Sequence, residues 1–200
     1  MAVSAVFFDV GETLVDETRA FERLADAVGV PRLTFFGVVG GVVARGEQHG
    51  SVFELLGVPN PPQWPGYGPD DFYPDALPCL VELRSRGYHV GVVGNQPESC
   101  EQFLRDAGVD VDCIGSSEGW GVRKPTPEFF ARIAAEANRE PSEIAYVGDR
   151  VDFDVVPARE AGMIAVHVRR GPWGYLQNGA EQAHIQVKSL AELPEALASV

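Results

Sequence analysis

Positive charge is scarce in this sequence. Lysine and arginine together number 16 against 29 aspartates and glutamates, a formal net charge of -13. A surface of that sign repels nucleic acid and anionic membrane, so neither is expected as a partner. An anionic substrate would have to be drawn in by local positive charge. Cysteine is scarce too. Cys79, Cys100 and Cys113 are odd in number, scattered and form no CxxC pair. They read as buried, reduced thiols of a cytoplasmic protein, not as disulfides or metal ligands. No apolar run approaches the roughly 20 residues of a membrane span. The longest, Leu33–Ala44, is broken by Gly37, Gly40 and Gly41, and its GxxxG reads as close helix packing. Met1–Phe8 lacks a basic leader and runs straight into Asp9, unlike a signal peptide. Internal repeats and low-complexity tracts are missing as well.

What is present suits one folded domain with a small insertion: 200 residues, 45% of them hydrophobic. Short β-branched runs alternate with helix-period segments, the pattern of a parallel sheet built from βαβ units. The spacing predicts strands over Val3–Phe8, His89–Val93, Val111–Gly115, Ile144–Val147 and Ile164–Val168, with His184–Val187 as an edge strand. It predicts helices over Ala76–Arg86, Pro97–Ala107, Pro127–Asn138, Val155–Ala161 and Leu190–Ala198. Pro97 and Pro127 suit a first helical turn, and Gly87, Gly108 and Gly162 suit C-terminal caps. The stretch from Glu17 to Phe72 departs from this rhythm. It reads as helices Thr18–Val28, Leu33–Arg45 and Ser51–Leu56, returning through the irregular Pro/Gly-rich run Pro59–Pro69.

In an open α/β sheet, ligands bind beyond the carboxyl ends of the strands. The first strand ends in Asp9, within Phe8-Asp9-Val10-Gly11-Glu12-Thr13-Leu14, and the second in Gly94-Asn95-Gln96. Gly121-Val122-Arg123-Lys124-Pro125 follows the third. The fourth ends in Gly148-Asp149-Arg150-Val151-Asp152-Phe153-Asp154, and the fifth runs into Arg169-Arg170. Two carboxylate clusters and a lysine would therefore meet at one sheet edge. A carboxylate can act as a covalent nucleophile, Mg2+ prefers oxygen ligands of this kind, and a lysine between them would neutralise charge on a transferred group.

The first four of these segments, in this order, resemble the motifs of the haloacid dehalogenase superfamily. Lys124-Pro125-Thr126-Pro127-Glu128-Phe129-Phe130 and Tyr146-Val147-Gly148-Asp149 are the most specific parts. The resemblance implies a doubly wound, Rossmann-like parallel sheet flanked by helices, with residues 1–16 and 73–200 as the core domain and 17–72 as a small helical cap. It implies Asp9 as the nucleophile, Mg2+ held by Asp9, Asp149 and the Gly11 carbonyl, and Asp154 as the carboxylate holding metal-bound water. Lys124 would pair with the nucleophile and the phosphoryl group. Gly94, Asn95 and Arg150 would complete the phosphate site.

Two positions depart from the family. Its phosphatases carry a general acid/base Asp two residues after the nucleophile, where this chain has Gly11, and a hydroxyl residue where it has Gly94. Loss of acid/base assistance removes roughly 10²–10⁴-fold in rate. Three explanations compete: a good leaving group, a substitute among Glu12, Asp16 and His49, or a weakened catalyst serving as a binding or regulatory module. The dehalogenase branch also lacks the second Asp, but it uses no metal and lacks the Gly148-Asp149 pair. The expected activity is therefore a Mg2+-dependent phosphatase of small phosphorylated metabolites, weak on generic substrates. Trp120, Trp173 and Tyr175 are expected to pack under loops more than to line the substrate mouth. Arg169 and Arg170 read equally as substrate attractors or as a solvated pair.

Overall fold

The computed structural model describes residues 2–61 and 64–199. Part of the expected return linker, Pro62 and Gln63, lies outside them. The backbone forms six strands: β1 (Ala5–Phe8), β2 (His89–Gly94), β3 (Cys113–Ser116), β4 (Ile144–Gly148), β5 (Ile164–Val168) and β6 (Ile185–Val187). All pair in parallel in the order β3-β2-β1-β4-β5-β6. The predicted strands lie within a residue or two of these, and β6 is the edge.

Both faces of the sheet are covered, as parallel sheets require. Alternate strand residues point to opposite faces. Val6, Phe8, Val92, Val147 and Val166 pack with Leu80, Leu83 and Leu104 on one side. Phe7, Val93, Tyr146 and Ala165 pack with Phe129, Phe130 and Ile133 on the other. Helices α4 (Ala76–Ser85) and α5 (Glu98–Asp106) cover the first face, and α7 (Pro127–Ala137) and α8 (Val156–Glu160) the second. Cys79 and Cys100 are buried and Cys113 half-buried, all as free thiols.

Between β1 and α4 stand three further helices, α1 (Thr18–Ala27), α2 (Arg32–Ala44) and α3 (Ser51–Leu56). They surround an apolar cluster of their own, with Phe21, Leu24, Phe35, Val39 and Val43 at its centre. The chain leaves and re-enters through a paired stem. Val15 bridges Phe72, Asp16 N–H donates to Asp71 O, and Tyr73 N–H donates to Leu14 O. Among the described residues no single helix is long and apolar enough to cross a membrane; α1 and α2 pass that test only as a pair bent by 114°. Two short helices were not legible in the sequence: α6 (Ser117–Trp120) after β3, and α9 (Gly171–Leu176) after β5. Trp173 of α9 is buried against the α1–α3 cluster. A final helix, α10 (Leu193–Leu197), closes the first face.

Candidate active site

The strand order reverses between β1 and β4, and in a sheet of this topology the crevice beyond that reversal is where ligands bind. Register carries the site there. Phe8 pairs with Val92 on one side and Val147 on the other, and Asp9 N–H donates to Val147 O at 2.9 Å. Asp9 thus leaves the sheet beside the ends of both neighbours. Each of Asp9, Asp149 and Asp154 offers a carboxylate oxygen within 4.8 Å of the others, and all three residues are buried.

Lys124 sits among them, 2% exposed. Its Nζ lies 2.9 Å from Asp9 Oδ1 and 2.5 Å from Asp154 Oδ1. Burial works against its charge, but the attraction of Asp154 and Asp9 outweighs it and holds the ammonium well above the usual lysine range. Asn95 fixes the lysine backbone: its amide donates to Lys124 O at 2.9 Å and accepts from Lys124 N–H at 2.8 Å. The Asn95 side chain is thus engaged in holding Lys124, which leaves its backbone N–H as the group expected to face a phosphate.

Asp154 lies on the π-helical turn Val151–Val155 that follows β4. Its Oδ2 accepts from Arg150 N–H at 2.9 Å, so the same carboxylate caps its own turn and pairs with Lys124. Asp152, the neighbouring carboxylate, pairs with the Arg150 guanidinium through contacts of 3.0 and 2.7 Å and lies outside the cluster. Arg150 also stacks 3.9 Å above the Phe153 ring centroid. It lines the cavity in this pose.

Asp149 is the least satisfied group. Its Oδ2 is buried with no hydrogen-bond partner among the described residues. Burial, then the charges of Asp154, Asp9 and Glu12, push its carboxyl well above the usual range. An orphaned carboxylate oxygen facing two more carboxylates is a donor set that suits a hard divalent cation. Neutralising that charge would reverse the shift.

Gly94 is legible once Asp9 is placed. A Cβ there would stand 2.3 Å from Asp9 Oδ1, so the Asp9 carboxylate fills the space a hydroxyl side chain would need. Gly11 is similar: a Cβ there would meet Oε1 of Glu17 at 2.5 Å. Glu17 is buried, and its Oε1 accepts from the Tyr67 hydroxyl at 2.5 Å. Burial, then the charge of Glu12, push its carboxyl up to about 8. Burial alone dominates for Glu12, pushed up to about 7, with the Tyr73 hydroxyl donating to its Oε2 at 2.5 Å. Neither Glu17 nor Tyr67 was singled out for chemistry in the sequence. The available signal was a glycine two residues past Asp9 with a carboxylate six further on.

A cavity of about 350 Å3 opens over the cluster, lined by Asp9, Glu17, Lys124 and Arg150 below and by His49 and Trp64 from the segment between β1 and α4. Trp173 also lines it, while Trp120 packs on Phe129 in the core. Arg170 is buried, pairing with Asp75 and donating to Thr13 O at 2.8 Å, so it is neither solvated nor facing a substrate. Arg169 stacks 4.9 Å over Tyr175, which is exposed. Asp16 accepts from Thr18 N–H at the start of α1.

The fold and site together define an α/β protein with a doubly wound parallel sheet that gathers three carboxylates and a lysine at its reversal point. Residues 64–162 match the family of haloacid dehalogenase-like hydrolases, and the chain belongs to the haloacid dehalogenase superfamily. It is 38% identical over 105 residues to a glyceraldehyde 3-phosphate phosphatase of Methanopyrus kandleri, a match covering 50% of this chain and 45% of that one. It is 26% identical to a glyceraldehyde 3-phosphate phosphatase of Pyrococcus furiosus over 98% of this chain and 93% of that one. The chain spans about half the length of the first curated relatives it matches. The crystal structure of a haloacid dehalogenase-superfamily phosphatase from Thermococcus onnurineus shares the fold, with a TM-score of 0.65 at 24% identity over 98% of both chains.

Proposed function

We propose that the chain is a Mg2+-dependent phosphatase acting on a small phosphorylated metabolite through an aspartyl-phosphate formed on Asp9. The observation that carries this reading is the convergence of Asp9, Asp149 and Asp154 on one point with Lys124 paired to Asp9. Asp9 stands at the cavity floor, where its second oxygen can reach phosphorus while Lys124 holds the first. Lys124 also faces the charge on the transferred group, a fixed cation in a water-poor site where such contacts are strongest. Asp9, the Gly11 carbonyl, Asp149 and Asp154 would hold the cation, the last through water. When bound, that cation supplies charge neutralisation and orients the phosphoryl oxygens. Arg150, lining the mouth, adds attraction for an anion that the net charge of -13 would otherwise repel.

The cavity volume falls at the small-ligand end of enzyme pockets. The Methanopyrus kandleri and Pyrococcus furiosus relatives carry the name glyceraldehyde 3-phosphate phosphatase, which supports a substrate of that size class. The alternative of a metal-free dehalogenase is disfavoured by the three-carboxylate cluster. The test is turnover of a panel of small phosphate esters and acetyl phosphate, with Mg2+ and with chelator, beside Asp9→Asn. Metal-dependent turnover that vanishes in the variant is expected. Binding of phosphorylated ligands without turnover would favour a binding or regulatory module instead.

A further inference from the structure

Gly11 lies two residues beyond Asp9, and the volume its side chain would take is occupied. A Cβ there would stand 2.5 Å from Oε1, 2.8 Å from Cδ and 3.2 Å from Oε2 of Glu17. The absence of a side chain at 11 and the presence of a carboxyl at 17 are therefore one feature. Glu17 stands at the N-terminal end of α1, and its carboxyl is turned back against Gly11.

That carboxyl is held by a relay. Gln96 Nε2 donates to the Tyr67 hydroxyl at 3.2 Å, and the hydroxyl donates to Glu17 Oε1 at 2.5 Å. Among the described residues no donor reaches Oε2. Glu17 lines the same cavity as Asp9 and Lys124. The other candidates are less suited. Glu12 has both oxygens engaged, by the Tyr73 hydroxyl and by Glu17 N–H. The Asp16 carboxylate accepts from Thr18 N–H and does not line the cavity. His49 stands among Phe21, Trp64 and Trp173.

We propose that Glu17 is the proton-transfer group of this site, acting from the space that residue 11 leaves open. The inference rests on the phosphatase reading above. In the first step Asp9 forms a bond to phosphorus, the bond to the leaving oxygen breaks, and the Glu17 proton passes to that oxygen. In the second, water forms a bond to phosphorus and gives a proton to the Glu17 carboxylate. The Asp9–phosphorus bond then breaks, releasing inorganic phosphate and restoring both carboxyl groups.

Glu17→Gln keeps the volume and the Tyr67 contact but removes the transferable proton. Stopped-flow measurements with Mg2+ use p-nitrophenyl phosphate, whose leaving group needs little protonation, and glycerol phosphate, whose leaving group needs it. In the variant, p-nitrophenolate should appear as a burst close to one per enzyme, followed by turnover slowed about 10²–10⁴-fold. Glycerol phosphate should slow as much and show no burst. Gly11→Asp combined with Glu17→Ala should recover at least about tenfold of the lost glycerol phosphate turnover relative to Glu17→Ala alone, at unchanged melting temperature. Wild-type rates on both substrates in Glu17→Gln would overturn the proposal. So would equal loss on both without a burst, or no recovery in the double variant. An unsubstituted protein with neither burst nor turnover would remove the phosphatase reading itself, a distinct result.

Discussion

Lys124 Nζ lies 2.9 Å from Asp9 Oδ1 in a site where the lysine is almost wholly enclosed. Removing one partner of a buried ion pair leaves the other uncompensated, at a cost of about 3–5 kcal/mol. Lys124→Met, similar in volume and uncharged, should lower stability by an amount of that order in denaturant titration. It should also lower kcat at least about 10²-fold, the scale of losing one electrostatic contact to the transferred group. A variant as stable as the parent would show that Asp9 and Asp154 do not need the lysine.

Asn95 acts through that lysine. Its two hydrogen bonds to the Lys124 backbone, at 2.9 and 2.8 Å, fix where the ammonium emerges. Asn95→Ala should cost about 1–3 kcal/mol in stability and reduce kcat with little effect on KM. A change in KM alone, measured by steady-state kinetics, would place the Asn95 side chain against substrate instead.

The orphaned Oδ2 of Asp149 makes a prediction about metal. Mg2+ at about one hundred times its Kd should stabilise the protein by about 2.7 kcal/mol. In a chain of this size that raises Tm by roughly 5–11 °C. Asp149→Asn removes a carboxylate that burial and its neighbours disfavour, so the metal-free variant should melt higher than the parent at neutral pH. The same variant should gain little from Mg2+. Equal Mg2+ shifts in both proteins would exclude Asp149 as a ligand.

The fold and most of the acidic cluster were readable because both depend on local signals. Periodicity placed the strands, and strand ends placed Asp9, Lys124, Asp149 and Asp154. The family's spacing favours Asp154 over Asp152, and in the turn after β4 Asp154 points at Lys124 while Asp152 pairs with Arg150. Gly11 and Gly94 were legible only as departures. What fills the space beside each, Glu17 in one case and Asp9 in the other, depends on the chain folding back from α1 and on a side-chain pose that no periodicity encodes. Arg170 was ambiguous for the same reason: its partner Asp75 is distant in sequence.

His49 makes stability pH-dependent. It packs against Trp173 and Phe21 with ring centroids 5.0 and 5.3 Å apart, and burial, then the charge of Arg150, pull its imidazole down to about 4. As pH falls, the unfolded chain takes up this proton first. The contribution is therefore complete above about pH 6.5 and is lost as pH falls toward 4. Glu12 and Glu17, shifted upward, act with the opposite sign: their contribution is present below about 4.5 and is lost as pH rises through about 7 and 8. Comparison with His49→Asn isolates the histidine. The parent should lose more stability than the variant between pH 6.5 and 4, by on the order of 1–2 kcal/mol after allowance for partial exposure. Parallel pH profiles of Tm would contradict this.

The claim that Asp9 is the nucleophile is tested most directly by acid-quenching the protein during turnover of acetyl phosphate with Mg2+. Reduction of any acyl phosphate with borohydride and mass mapping of the peptides then locate the modified residue. The account predicts modification at Asp9 alone, absent with chelator and absent in Asp9→Asn. Turnover with no modified carboxylate, or with the modification on another residue, would contradict it.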